Sequence, residues 1–223
     1  PYRNSMIRLI ALLCLVCGSL HAQFEGVIES RNTTTDENNA PQQYEMTIWV
    51  KGAMARIATS ATTSTPASTM IYRSDLRLIW MLNEESKSYF QVSMGKSQEE
   101  APGNEEPATV RRTGKSKKIL GYACDQYLIT QGEMETEIWG TKALRDLSTS
   151  LARALGEEHA GQGEAWNDEL TRLGVYPLAA NSRIEGNVAE AQEVVKIDRR
   201  SLPDDLFALP AGFKKQSVGD ILK

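Results

Sequence analysis

The pattern of apolar and polar positions is strand-like over the first two thirds of the chain. Tyr44 to Lys51 alternates with a period of two, placing Tyr44, Met46, Ile48 and Val50 on one face and Glu45, Thr47 and Lys51 on the other. That is the signature of a half-buried strand. Trp49 breaks the polar face. Gly52 marks a turn, and Met54 to Thr59 is expected as the partner strand. Phe24 to Ser30 reads as an opening strand, with the polar stretch Asn32 to Gln43 as a loop after it. Ala61 to Ser68, rich in Ser, Thr and Pro, reads as another loop.

Three more strands are expected over Thr69 to Arg73, Arg77 to Asn83 and Lys87 to Met94, linked by turns at Ser74–Asp75 and at Asn83–Ser86. Arg77 to Asn83 is apolar on both faces, with Leu78, Trp80 and Leu82 against Ile79 and Met81, as in a strand covered on both sides. Gly95 to Pro107 is acidic and reads as a solvated loop. Strands then recur over Thr109 to Thr113, Lys118 to Thr130 and Met134 to Gly140. Gly121 inside the second of these predicts a bend.

The period then changes. Leu144, Leu147, Leu151 and Leu155 fall at helical spacing, with Gly156 as a stop. Trp166, Leu170 and Leu173 repeat the spacing, and Gly174 ends this second helix at the favoured C′ position. Strands return over Ser182 to Val188 and Ala191 to Ile197. The Pro-punctuated tail SLPDDLFALPAGFKK offers Leu206, Phe207 and Leu209 as anchors. A long antiparallel sheet with two late helices is one α+β domain, expected over residues 23–223.

Residues 6–22, MIRLIALLCLVCGSLHA, change where that domain is expected to reside. Arg8 supplies a positive region, Leu9 to Val16 a short apolar run, and Ala22 a small residue for cleavage. This is the architecture of a secretory signal peptide, with PYRNS upstream of it. The run is shorter than the roughly 20 residues a membrane span needs. Leu13 and Val16 stand before Cys14 and Cys17 where lipidation wants small residues. The expectation is a periplasmic or secreted bacterial protein, peripheral to the envelope and not membrane-spanning after cleavage.

Composition is ordinary for a globular chain, 41% hydrophobic and 24% charged over 223 residues. The net charge of −4 becomes −6 once Arg3 and Arg8 are removed with the leader. No basic stripe is visible, and no run of cations exceeds Arg111–Arg112 or Lys117–Lys118. Nucleic acid is therefore not an expected partner.

Candidate chemistry is sparse. After cleavage Cys124 is alone, so no internal disulfide forms, and a lone Cys is expected buried and inert. His159 is the one remaining histidine and sits in a polar, Gly-rich stretch. One His and one Cys do not build a zinc site, and there is no nucleophile elbow, P-loop or dinucleotide fingerprint. The acidic loop at Asp36–Asn39 lacks the spacing and central Gly of a calcium loop. Neither an enzyme nor a cofactor is expected. Apolar binding fits the residues better. Met46, Ile48, Trp80, Leu82 and Phe90 on strands, with Leu151 and Leu155 on a helix, are the expected lining of a cavity.

Six segments in order, FEGVIES, YEMTIWVKGAMARI, MIYRSDLRLIWMLNEESKSYF, KKILGYACDQYLI, LGVYPL and VVKIDRRSLPDDLFALPAGFKK, give the chain a family likeness. It resembles the exported bacterial family named domain of unknown function 4412, whose pattern is similar to lipoprotein-carrier folds of the LolA/LolB type. The resemblance implies a single curved antiparallel sheet, an unclosed half-barrel, with two helices packed on its concave face. It also implies a lipid or a lipoprotein acyl chain as the ligand. Two other readings stay open: a closed-core module that meets another envelope protein, and a hydrolase built on carboxylates.

Overall fold

The computed structural model describes residues 23–36, 40–94, 108–156, 170–184 and 186–216. The leader, His159, Trp166 and the acidic loop of residues 95–107 lie outside them. Twelve strands form one sheet: β1 Gly26–Thr35, β2 Pro41–Lys51, β3 Met54–Thr59, β4 Ser68–Arg73, β5 Leu78–Asn83, β6 Ser88–Ser93, β7 Thr109–Ile119, β8 Tyr122–Gln131, β9 Met134–Thr141, β10 Tyr176–Ile184, β11 Asn187–Arg199 and β12 Lys214–Lys215. Their order is β12-β6-β5-β4-β3-β2-β1-β11-β10-β9-β8-β7. Every pairing is antiparallel except β12 on β6, which is parallel. The two ends of the order do not meet, so the sheet is unclosed.

Helix α1, Arg145–Leu155, touches β2, β3, β4 and β10. β4 and β10 stand five places apart in the sheet, about 24 Å at the usual strand spacing. A helix is only about 10–12 Å across, so the sheet curves around α1. Its concave face is the one α1 packs on.

Register fixes what each face carries, because paired residues point to the same side. Ile28, Ile48, Ile57, Met70, Met81 and Phe90 form one row across β1 to β6 on the α1 side. Val27, Trp49, Arg56, Ile71 and Trp80 form the neighbouring row on the opposite side. The C-terminal tail covers this second row. Leu202 and the buried Phe207 pack against Val27, Ile71 and Leu82, with Trp49 and Trp80 alongside. This explains Trp49 on the nominally polar face of β2: the tail makes that face a second core.

Polar contacts hold the tail in place. Lys51 Nζ donates to the Leu202 carbonyl at 2.6 Å and pairs with Asp204 at 2.7 Å. Arg56 and Arg73 donate to the carbonyls of Leu206 and Phe207 at 3.4 and 3.3 Å. The tail then adds β12 to β6, with Lys214 N–H on the Lys87 carbonyl and Gln216 N–H on the Tyr89 carbonyl, both 2.9 Å. That covers an edge strand which would otherwise present unpaired backbone groups.

Several boundaries differ from the sequence reading. Asn32 to Gln43 is not a loop throughout: β1 and β2 run on as paired strands, Asn32 opposite Tyr44 and Thr35 opposite Pro41. The ladder needs only backbone groups, which polar residues supply equally well. Ser182 to Val188 is not one strand: Ser182–Ile184 end β10, Asn187 and Val188 begin β11, and the two pair with each other. Gly121 does not bend a strand; it reverses it. Leu120 and Gly121, with φ of 50° and 83°, are the two central residues of the β7–β8 hairpin, between the pair Ile119 and Tyr122. Both positive values mark a type I′ turn. Leucine there costs about 1–2 kcal/mol, so Gly121 is the one turn signal in the pair, and alone it reads as a bend.

The cation pairs Arg111–Arg112 and Lys117–Lys118 prove to share one strand. With Lys115 they put five cations and no carboxylate into the 11 residues of β7, the last strand of the sheet and without a strand partner on its outer side among the described residues. A basic stripe therefore exists, split in sequence by Thr113, Gly114 and Ser116.

Candidate functional site

α1 is tied down at three points. Ser150 Oγ accepts the N–H of Phe24 at 3.0 Å, with both residues buried. Ser74 Oγ donates to the Ala154 carbonyl at 3.1 Å. Asp146, in the first turn, takes both terminal nitrogens of Arg199 at 2.6 and 3.0 Å. The helix ends at Gly156, whose N–H reaches the Arg153 carbonyl and whose φ is 85°. With these ties Leu147, Ser150 and Ala154 face the sheet. Leu151 and Leu155 are turned to the flank and only partly buried.

A second helical segment, residues 170–173, closes in a Schellman motif. Val175 N–H bonds the Leu170 carbonyl and Gly174 N–H the Thr171 carbonyl, both at 2.9 Å, with Gly174 at φ 66°. The six-to-one and five-to-two bonds around a left-handed C′ residue define this cap. It points Val175 and Leu170 onto Tyr127, Ile129 and Ile138. It also starts β10 at Tyr176 and Pro177, beside α1.

Between the flank of α1, this segment and the sheet lies a cleft of about 190 Å³. Ile48 forms its floor, Leu151, Ala152 and Leu155 one wall, and Val175, Tyr176 and Pro177 the other. Ser148, Thr171 and Gln192 supply neutral polar groups, and none of the lining side chains among the described residues is charged. Burial pushes the Tyr176 phenol far above its ordinary range, so it stays neutral. An apolar recess with a few neutral hydrogen-bonding groups suits a small apolar ligand.

Three of the seven expected lining residues, Ile48, Leu151 and Leu155, meet in this cleft. Met46 lies one pair further along β2 on the same face, partly buried against the same core. Phe90 stands in the row of Ile48 but four strands away. Trp80 and Leu82 do not belong with them. They face the opposite side of the sheet and are packed under the C-terminal tail. Tyr176, Gln192, Ser148 and Thr171 were not expected from sequence; Tyr176, next to Pro177 and just past Gly174, was the one with a signal.

β5 is apolar on both faces, but its two faces are covered unequally. Trp80 and Leu82 meet the tail, whereas Met81, on the α1 side, stays 44% exposed.

A larger depression differs in character. It has about 310 Å³, lies on the face opposite Ile48, and is walled by Arg31, Glu137, Glu193 and Lys117 around Trp139. Lys117 Nζ stands 4.1 Å from the centre of the Trp139 ring, and Trp139 Nε1 donates to Glu137 at 2.7 Å. Burial raises the Cys124 thiol above its usual range, which makes it a poor nucleophile. Among the described residues no three His, Cys, Asp or Glu side chains are placed to hold a metal ion. Among them, too, no helix is long and apolar enough to cross a membrane.

Residues 24–213 match the family model described as domain of unknown function, DUF4412. The chain belongs to this family. The DUF4412 fold is similar to that of an uncharacterized conserved protein from Thermus thermophilus, at TM-score 0.52 and 10% identity over 88% of this chain and 94% of that one. At that identity the likeness shows the fold alone. Weaker matches include PNGF-II, at TM-score 0.44 and 12% identity over 88% of this chain and 32% of that one. A LolA superfamily protein from Nitrosomonas europaea matches at TM-score 0.36 and 9% identity, over 84% of this chain and 91% of that one. No curated protein matches the DUF4412 chain.

Proposed function

We propose that this DUF4412 protein is a non-catalytic cell-envelope protein that holds a lipid or lipoprotein acyl chain between α1 and the curved sheet. The observation that carries the reading is the cleft over Ile48, walled by Leu151 and Leu155, whose lining among the described residues is apolar or neutral. The signal-peptide pattern of residues 6–22 supports a periplasmic or secreted location.

Magnitudes say what the ligand must do. Micromolar affinity corresponds to about 8 kcal/mol, or about ten buried methylenes at about 0.8 kcal/mol each. The cleft, at about 190 Å³, is smaller than the roughly 300–1,000 Å³ of ordinary small-molecule sites. A chain of ten methylenes therefore continues past it. The row Ile57, Met70, Met81 and Phe90 leads away from Ile48 across the same face, with Met81 44% exposed one strand before its outer end at Phe90. Methionines there suit a ligand of variable shape.

The test is native mass spectrometry of protein purified from membranes, together with titration of a fluorescent fatty acid. Co-purified lipid and saturable binding are expected. Neither lipid nor binding would leave the second reading, a closed-core module for another envelope protein, which the small size of the cleft favours.

A further inference from the structure

We propose that the tip of the β7–β8 hairpin docks on the surface of an anionic phospholipid bilayer. Arg111, Arg112, Lys115, Lys117 and Lys118 are all exposed on β7. Arg112 is engaged by Asp125 at 2.7 Å and Lys117 lies over Trp139. Arg111, Lys115 and Lys118 are in no ion pair among the described residues. This cationic edge belongs to a chain whose net charge is −4, so the positive potential is local and directional.

Protection of an open sheet edge explains lysines on β7. It does not explain Leu120. This side chain is 43% exposed at the outermost point of the hairpin, two residues from Lys118, and its φ is 50°. The turn favours Asn, Asp or Gly. Leucine here is both strained and wet, a local conflict of the kind folds keep at working positions.

An aliphatic tip with lysines along one arm of its hairpin fits one environment. The side chain enters the acyl boundary while the ammonium groups stay among the headgroup phosphates. A nucleic-acid backbone offers phosphates but nothing for the leucine. The inference is independent of the acyl-binding cleft, which lies beside α1 and not at this hairpin.

The experiment is co-sedimentation of the protein with vesicles of phosphatidylcholine, with and without phosphatidylglycerol. Binding should require phosphatidylglycerol and weaken as salt is raised. Lys115→Glu with Lys118→Glu should lower the affinity by at least about 25-fold, at about fivefold per lysine removed from an anionic surface. Leu120→Asn should weaken binding several-fold while raising the Tm by about 2–4 °C, because the turn strain is relieved. No binding, binding that ignores phosphatidylglycerol, or binding unchanged in these variants overturns the proposal. So does a lower Tm in Leu120→Asn, since Leu120 would then serve folding.

Discussion

Asp146 and Arg199 join the first turn of α1 to the end of β11 through two parallel hydrogen bonds of 2.6 and 3.0 Å. The same guanidinium stands 4.9 Å from the centre of the Phe24 ring. One ion pair thus links the helix, the last long strand and the start of the domain. The Arg199 guanidinium holds the Asp146 carboxyl below its usual range. A carboxyl lowered in the folded state stabilises the fold above its unfolded pKa, and that contribution fades as pH falls through the folded value. Asp146→Asn should therefore cost about 0.5–1 kcal/mol at pH 7, the upper end for exposed pairs because the contact is bidentate. Near pH 2 the gap from wild type should close. Urea melts at the two pH values check this; a gap that persists in acid would show that packing, not charge, is lost.

A second contact at α1 is buried on both sides. The Phe24 N–H donates to Ser150 Oγ at 3.0 Å, with Phe24 fully buried and Ser150 nearly so. Ser150→Ala leaves a buried N–H without its acceptor, at a cost of about 1–3 kcal/mol. Thermal melts should show a Tm lowered by several degrees. Ser148→Ala, on the cleft side of the same helix, should change Tm little.

How far the sequence reveals this arrangement follows from what each signal measures. Alternation in Tyr44 to Lys51 separates the two sides of β2, and Leu144, Leu147, Leu151 and Leu155 announce α1, because both depend on local period alone. Gly174 announces its cap because few other residues take a positive φ there. The faces of different strands are another matter. Ile48 and Trp80 each sit on an apolar side of their own strand, but only the registers of β2 with β3, β3 with β4 and β4 with β5 show that these sides are opposite. Register is a non-local property. The β7–β8 turn reads from Gly121 only as a bend for the contrary reason: Leu120 violates the local preference that would have announced a reversal.

The tail over the convex face was legible as anchors without a destination. Phe207 is fully buried against Leu82, Ile71 and Leu202, with Trp49 and Trp80 beside it. Phe207→Ala should cost about 3–5 kcal/mol. Loosening of the tail uncovers both indoles, so tryptophan emission should shift to the red in the folded baseline before the main unfolding transition. An unshifted baseline with a lowered Tm would mean that the tail stays docked over a cavity.

The acyl-binding reading makes its sharpest demand on Ala152 and Met81. Ala152 lines the cleft beside Leu151 and Leu155. Ala152→Trp should fill the recess with an indole, and no strand contact has to move for it to do so. Fluorescent fatty-acid binding should then fall at least tenfold with Tm held within a few degrees. Met81 lies outside the cleft, three strands from Ile48 in the same row and 44% exposed. Met81→Asp places a charge where the outer methylenes should run. It should weaken long-chain ligands by several-fold and leave short-chain ones almost unaffected, since each methylene kept from burial forfeits about 0.8 kcal/mol. Equal losses for short and long chains would put the whole ligand inside the cleft. No loss in Ala152→Trp would remove the cleft from the function altogether.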